Sequence, residues 1–434
     1  MRFALAGVLL GVAFWDARAQ PLAWVGLVVL TLAFHRASSP RQALLGGFVT
    51  ILLKQAVALY WMLPTQVHFL KLTWMSGLGI CSLMFVLMTA ILLAPMAVGI
   101  FSQRWLPIRW WLPGAWAAGE VLLEHLSGAA MGHLLHSQWA MRPVLQGLAL
   151  LGWFPILLLG LYTSASIGDA IAARASRALC VPLALVAFLL LLPPIPVSKD
   201  PLKGLAAMHL VTVAQVPTEL PPGVDLLIWP EASIRGRHRI PEGPQLKPLG
   251  LSTFTPSFKV HSIVGVMLKT SEGQLNAAAA LEPEGTVLAT RGKSILVPVG
   301  ERAFWGMPVL NGEGLSPGRE RPLLSVASTR VIPVICYEIF SRTLVMHGKE
   351  SGGAVLAVLA SDRPLAGSRI AMEQSLGVVL LRAAEFQIPA VRASLGGISA
   401  LVSPDGRILA RSSQGRSEVL VTSPYPSTFT AFRD

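Results

Sequence analysis

Charge is scarce in this chain. Of its 434 residues 13% are Asp, Glu, Lys or Arg, 53% are hydrophobic, and the mean hydropathy is +0.60. That balance excludes an ordinary soluble enzyme. Cysteine is scarcer still, at three residues. Cys81 and Cys180 lie in apolar segments, which leaves Cys336, in "VIPVICYEIF", as the only thiol of the second half. His125, His133 and His136 lie close together in sequence, but no Cys or carboxylate completes a ligand set there. They read as interfacial histidines, and neither a metal site nor a cofactor is expected. No internal repeat or low-complexity tract is present.

The net charge of +12 raises the question of nucleic acid. Residues 1–199 hold 12 Lys/Arg against 4 Asp/Glu, and residues 200–434 hold 23 against 19. The excess therefore sits mainly in the apolar half, where it reports topology, and no nucleic-acid partner is expected. The one local basic run, "RGRHR" at 235–239, reads as a solvated loop.

Long apolar runs repeat from Met1 to Pro194, and about 20 such residues suffice to cross a bilayer as a helix. Seven spans are expected, near 3–15, 21–34, 43–63, 77–101, 108–126, 144–168 and 178–193. The first 20 residues also have the form of a secretory signal, with Arg2, an apolar core and small residues at Ala17 and Ala19. With seven spans, one set of ends holds Arg2, Arg36, Arg41, Arg104, Arg109, Arg174 and Arg177, and the other only Arg18, Lys71 and Arg142. Basic residues stay in the cytoplasm, so the N-terminus is expected there and everything after Pro194 on the opposite face. In a bacterium this is an inner-membrane protein with its second half in the periplasm. Lys54 falls inside a span, where a charge is costly, and is expected to snorkel or pair within the bundle.

The Pro-rich stretch 195–204 reads as a linker between a membrane domain, 1–194, and a second domain, 205–434. In the second domain the period changes. "HLVTVAQV", "DLLIWPE", "HSIVGVML", "STRVIPVIC" and "GAVLAVLAS" are short β-branched runs bounded by Pro, Gly and polar residues. "EPEGTVLA" and "SPDGRILA" read as hairpin turns, and a helical pattern lies between "AGSRI" and "AAEFQ". The whole is an α/β domain.

Three strand ends carry groups that packing does not require: Glu231, then Lys293 and Glu301, then Cys336 and Glu338. A carboxylate, an ammonium and a thiol are the parts of thiol acyl chemistry. Only the thiolate attacks a carbonyl well, a carboxylate takes its proton, and an ammonium stabilises the oxyanion. Taken singly, each has a plain structural reading: a buried cysteine, a loop carboxylate, an exposed lysine.

"WPE", "GKSILVPVGE" and "CYE", in that order, resemble the nitrilase or carbon-nitrogen hydrolase superfamily, and in particular its membrane branch, the apolipoprotein N-acyltransferases. The resemblance implies an α-β-β-α sandwich and a catalytic triad of Glu231, Lys293 and Cys336. It also implies supporting roles for Glu301, Tyr337, Glu338 and Asn276. "AWAAGEVLLEHLSG", "LLHSQWAMRPVLQGLALLGWF" and "ALYWM" are similar to membrane segments of the same family.

The family's activity would be transfer of an acyl chain from a membrane phospholipid, through a thioester on Cys336, to a protein or small-molecule amine. Several features depart from the pattern. The connection between the first two strands is too short for the family's helix, "ASDRPLAGS" and "ASLGG" replace its acceptor-side loops, and the chain stops at "TAFRD" without a closing span. Such a shortened form resembles the TraB-type conjugal-transfer proteins. An amidase anchored by the bundle, and a non-catalytic component of a transfer apparatus, are the competing expectations.

Overall fold

The computed structural model describes residues 1–102, 105–196, 201–239, 258–270, 273–304, 307–310, 314–319, 323–365 and 367–422, with side chains left out at 235–239. The terminal "TAFRD" lies outside the described residues. The chain divides into two compact units, one of residues 1–195 with 364–385, the other of 196–363 with 386–434.

The first unit is helical. Its members are α1 (Arg2–Val12), α2 (Leu22–His35), α3 (Pro40–Ala58), α4 (Met62–Phe69), α5 (Trp74–Ser102), α6 (Ile108–Ser127), α7 (Arg142–Leu151), α8 (Trp153–Ala172) and α9 (Cys180–Leu190). Two more helices follow, α10 (Arg342–Glu350) in the second unit and α11 (Arg369–Phe386), whose residues to Glu385 belong to the first. Local signals set the ends. The Ser39 hydroxyl accepts the Gln42 N–H with Pro40 behind it to open α3, and Gly128, at φ +79°, closes α6.

The polarity of this unit is inverted. On α5, Trp74, Met75, Leu78 and Val98 face outward, while Lys54, Gln55, Thr31, Thr50 and Glu120 are buried. A bundle with apolar side chains outside and ionisable groups inside is stable in lipid, not in water. Lys54 pairs inside the bundle, donating to the Gly132 carbonyl, with its ammonium 5.5 Å from the centroid of the Phe14 ring. Two of the three histidines depart from expectation, while His125 is exposed near the end of α6. His133 and His136 are buried rather than interfacial, their rings stacked with centroids 5.1 Å apart, and His133 lies 3.9 Å from Glu120. Among the described residues no group of three or more potential ligands could hold a metal ion.

By length and composition α5 and α8 suffice to cross a membrane, and α3 with α4, bent by 56°, makes a third if counted as one span. The seven apolar runs do not become seven long helices. Gly152, at φ +84°, divides the run at 144–168 into α7 and α8, and α1, α2 and α9 are shorter apolar helices.

The second unit holds β1 (Leu205–His209), β2 (Leu226–Ile228), β3 (Ile234–Arg239), β4 (His261–Thr270), β5 (Gly273–Leu281), β6 (Val287–Gly292), β7 (Leu324–Val326), β8 (Thr329–Ile335), β9 (Val355–Ser361), β10 (Ala390–Leu395), β11 (Ala400–Val402), β12 (Ile408–Arg411) and β13 (Glu418–Leu420). One sheet runs β13-β1-β2-β4-β5-β6, with β3 also on β4, and the other β12-β11-β10-β9-β8-β7. The expected α/β nitrilase-like architecture with two sheets is present.

Consecutive residues alternate between two cores, as a period of two requires. Leu205 and Ala207 join Ile228, Val331, Ile335 and Leu359 between the sheets. Ala206 and Met208 join Trp229 and Val264 on the outer face. No helix occupies the connection from β1 to β2. Its own Val213, Val216, Leu220 and Val224 cover that face instead. Two readings shift here. The first strand lies at 205–209 rather than 209–216, and "RGRHR" is strand, paired parallel to β4. Both expected hairpin turns form, closed by Glu282 N–H to Thr286 O and Ser403 N–H to Arg407 O. Pro333 lies past the last described pair of β7 with β8, and among the described residues the strand is paired there with β9.

Candidate active site

β2 pairs with the first part of β4, at His261–Ile263, and β3 with its later part, at Val266–Lys269. The chain between them carries Glu231 across the middle of β4, opposite Gly265. A Cβ at Gly265 would fall 2.6 Å from the Glu231 Cα and 2.6 Å from the Ala232 nitrogen. Glycine is therefore needed there to let the backbone bearing the carboxylate approach the strand. Ala232, at φ +46°, turns the chain away.

Asn276, on β5, donates its Nδ2 hydrogen to Glu231 Oε1 at 2.6 Å, while its backbone carbonyl accepts the Lys293 N–H at 2.7 Å. One residue thus holds both the carboxylate and the segment that follows β6. The Lys293 ammonium lies 2.8 Å from Glu301 Oε1 and 3.4 Å from Glu231 Oε1, and is 1% exposed. Glu301 is fixed in turn by the Val297 N–H, 2.8 Å from its other oxygen.

Cys336 follows β8 and opens a 3-10 turn, Cys336–Phe340, at φ +52°. A residue that carries a Cβ is strained in the left-handed region, and such strain persists only where the surroundings hold it. The thiol lies near enough to the Glu231 carboxylate that each acts on the ionisation of the other. Glu231, Asn276, Lys293, Glu301 and Cys336 are thus gathered by the ends of β2, β5, β6 and β8. Tyr337 is half-buried on the same turn, 5.9 Å between ring centroids from Phe340.

Electrostatics define the resting state. Burial pushes the Glu231 carboxyl above the usual range, with Lys293 opposing. Burial by itself would lower Lys293, but Glu231 and Glu301 outweigh it and hold the ammonium well above its ordinary value. Burial and then the Glu231 charge push the Cys336 thiol well up, against Lys293. Burial likewise raises the Tyr337 phenol, opposed by Arg302 and Lys293. The site at rest is a neutral thiol beside a basic carboxylate and a permanent cation. A thiol attacks a carbonyl well only as it gives up its proton, and a neighbouring carboxylate is a group able to take one.

Glu338 does not face the thiol. Fully buried, it accepts from Arg291 through both oxygens, from the N–H groups of Ile335, Ser294 and Ile295 at 2.9, 2.7 and 3.2 Å, and from the Ser294 hydroxyl at 3.0 Å. Burial would raise this carboxyl, yet Arg291 and the N–H donors hold it below its ordinary value.

Sequence reasoning missed Arg291, Gly265 and a second buried pair. Arg392 donates to both oxygens of Asp362, at 2.8 and 3.0 Å, and Asp362 also accepts from the Ser394 hydroxyl and the Ile398 N–H. The Asp362 charge acts on Cys336 as well, raising it further. Two of these left a signal: glycine inside a strand marks close backbone approach, and arginine inside the buried run "AVRASL" demands a partner.

The carbon-nitrogen hydrolase profile matches residues 194–433, and that of the apolipoprotein N-acyltransferase N-terminal domain matches residues 6–166. Apolipoprotein N-acyltransferase of Geobacter metallireducens is 25% identical over 454 residues, covering 93% of this chain and 85% of that one. Apolipoprotein N-acyltransferase 2 of Treponema pallidum is 29% identical over 236 residues, 48% of this chain and 42% of that one. Among solved structures, Nit3 of Saccharomyces cerevisiae, a member of branch 10 of the nitrilase superfamily, is similar with a TM-score of 0.38 and 16% identity, covering 50% of this chain and 87% of that one. The chain belongs to the carbon-nitrogen hydrolase family, as an enzyme of the branch that carries an apolipoprotein N-acyltransferase N-terminal domain.

Proposed function

We propose that this protein is a membrane-bound N-acyltransferase in which Glu231, Lys293 and Cys336 move an acyl chain from a phospholipid to an amine. The observation that carries the reading is the Lys293 ammonium between Glu231 and Glu301, with Cys336 near enough for the charges of all three to act on its thiol. It is supported by similarity to an apolipoprotein N-acyltransferase across 93% of the chain.

The Cys336 proton passes to Glu231 as Sγ bonds to the ester carbonyl carbon. The oxygen gains the negative charge, and Lys293 stabilises it. The carbonyl reforms, the carbon–oxygen bond breaks, and Glu231 returns the proton to the departing lysophospholipid. An acyl thioester remains on Cys336. The acceptor amine then attacks the thioester carbonyl and loses its proton to Glu231, and the amide forms as Sγ leaves and recovers that proton. Ping-pong kinetics follow. The bias of basic residues toward one set of helix ends supports an inner-membrane location with Cys336 on the periplasmic side. The TraB-type reading keeps this chemistry and changes only the acceptor.

Incubation of the full-length protein with phospholipid, followed by intact mass measurement, tests the reading. The expected product carries one acyl chain, is reversed by hydroxylamine, and is lost in Cys336→Ala. Absence of the adduct, with release of ammonia from a small amide, would assign the protein to the amidases.

A further inference from the structure

We infer that Arg291 is a positioning residue of this site: through Glu338 it fixes the segment that carries Lys293 against the turn that carries Cys336. The inference rests on the acyl-transfer reading and deepens it.

Arg291 stands two residues before Lys293 at the end of β6, and Glu338 stands two residues after Cys336. Their side chains meet in the interior, at 2% and 0% exposure, in a two-pronged pair. The same carboxylate accepts the N–H of Ile335, the residue before the nucleophile, and that of Ser294, the residue after the lysine. One group therefore bonds the backbone immediately beside both reacting side chains. It can accept so many donors only as an anion, because a protonated carboxyl gives up acceptor capacity. A buried anion of this kind persists when a cation meets it, and the planar fork of Arg291 does so with the right geometry. The strained backbone of Cys336 is then held from one side by β8 and from the other by Glu338. Among the described residues the other hydrogen-bond partner of Arg291 is the Ser294 hydroxyl, 3.0 Å from its Nη2.

The test uses full-length protein in detergent with Cys180→Ala, which removes the exposed thiol. Two readouts are taken: single-turnover acylation by phospholipid, and the pH profile of Cys336 alkylation by iodoacetamide, both by intact mass. Arg291→Met is expected to slow acylation by about tenfold or more, the scale of a misplaced reacting group, with lipid binding unchanged. Its acid limb should move to higher pH, because Glu338 then protonates more readily. Arg291→Lys should recover part of the rate, and Glu338→Gln should slow acylation as Arg291→Met does while losing the acid limb that depends on protonation of Glu338. The double variant should be no slower than either single one, since both act along one path. A wild-type rate and alkylation profile in Arg291→Met would overturn the inference. If that variant does not fold, wild-type values in both Arg291→Lys and Glu338→Gln would overturn it equally. Should wild-type protein form no thioester, the acyl-transfer reading fails, while the alkylation profiles still decide whether Arg291 positions Cys336.

Discussion

The Lys293 ammonium sits 2.8 Å from Glu301, closer than the 3.4 Å that separates it from Glu231. Glu301 thus holds the cation while Glu231 remains bonded to Asn276 and near the thiol. Because the lysine is raised in the folded protein, it keeps its charge at every pH below its ordinary 10.5, and that charge is lost only as pH rises through the folded value. Glu301→Gln preserves the shape and removes one of the two carboxylates. Single-turnover acylation is expected to fall by about tenfold or more with lipid affinity unchanged, as for loss of support to a transition-state charge. An unchanged rate would show that Glu231 suffices to place the lysine.

Glu231→Gln should move two measurements in opposite directions. The Glu231 charge is among the causes that raise the Cys336 thiol, so its removal should shift the alkylation midpoint of Cys336 to lower pH. Acylation should nevertheless slow by about a hundredfold or more, because the proton acceptor is gone. A midpoint that stays in place, or a rate near wild type, would separate Glu231 from the thiol. Intact mass in the Cys180→Ala background reads both.

The chemistry-bearing strand ends were legible because two of the groups they carry break a rule of packing. A carboxylate and a lysine at the ends of apolar runs have no role in the core between the sheets, whereas Cys336 packs against that core and stood out only beside the other two. What joins them was not legible. The Arg291–Glu338 and Asp362–Arg392 pairs link residues 47 and 30 positions apart, and no local period records such a contact. The displaced first strand has a related cause. "LAAMH" is rich in alanine and poor in β-branched residues, so its strand state is imposed by pairing with β2 and β13. The apolar run at 144–168 misled for the opposite reason. Hydropathy adds residues across Gly152, where the backbone breaks.

Stability should fall with acid in a way that depends on Glu338. Its carboxyl is held below the ordinary 4.5, so it contributes stability that is complete above 4.5 and lost as pH falls through the folded value. Glu338→Gln removes that contribution, and its unfolding midpoint should vary less than wild type's below pH 4.5. Thermal unfolding followed by near-ultraviolet circular dichroism, at steps from pH 6 down to pH 3, measures the slopes. Parallel slopes would mean that the carboxylate is not ionised in the folded protein.

The Asp362–Arg392 pair predicts a stability effect separable from chemistry. Both residues are buried, at 3% and 0%, and Asp362 has further donors in Ser394 and Ile398. Arg392→Met strands an anion in the interior, which costs about 3–5 kcal/mol when one partner of a buried pair is removed. Arg392→Met with Asp362→Asn removes both charges and keeps the acceptor oxygen, so it should recover a large part of that loss. The stranded anion would also stand near Cys336 without its counter-charge, and since Asp362 already raises the thiol, the alkylation midpoint in Arg392→Met should move to higher pH. Denaturant unfolding gives the first quantity and mass-detected alkylation the second. A double variant no more stable than Arg392→Met would show that the arginine's value lies in packing and in its bond to the Ile398 carbonyl, not in meeting the charge of Asp362.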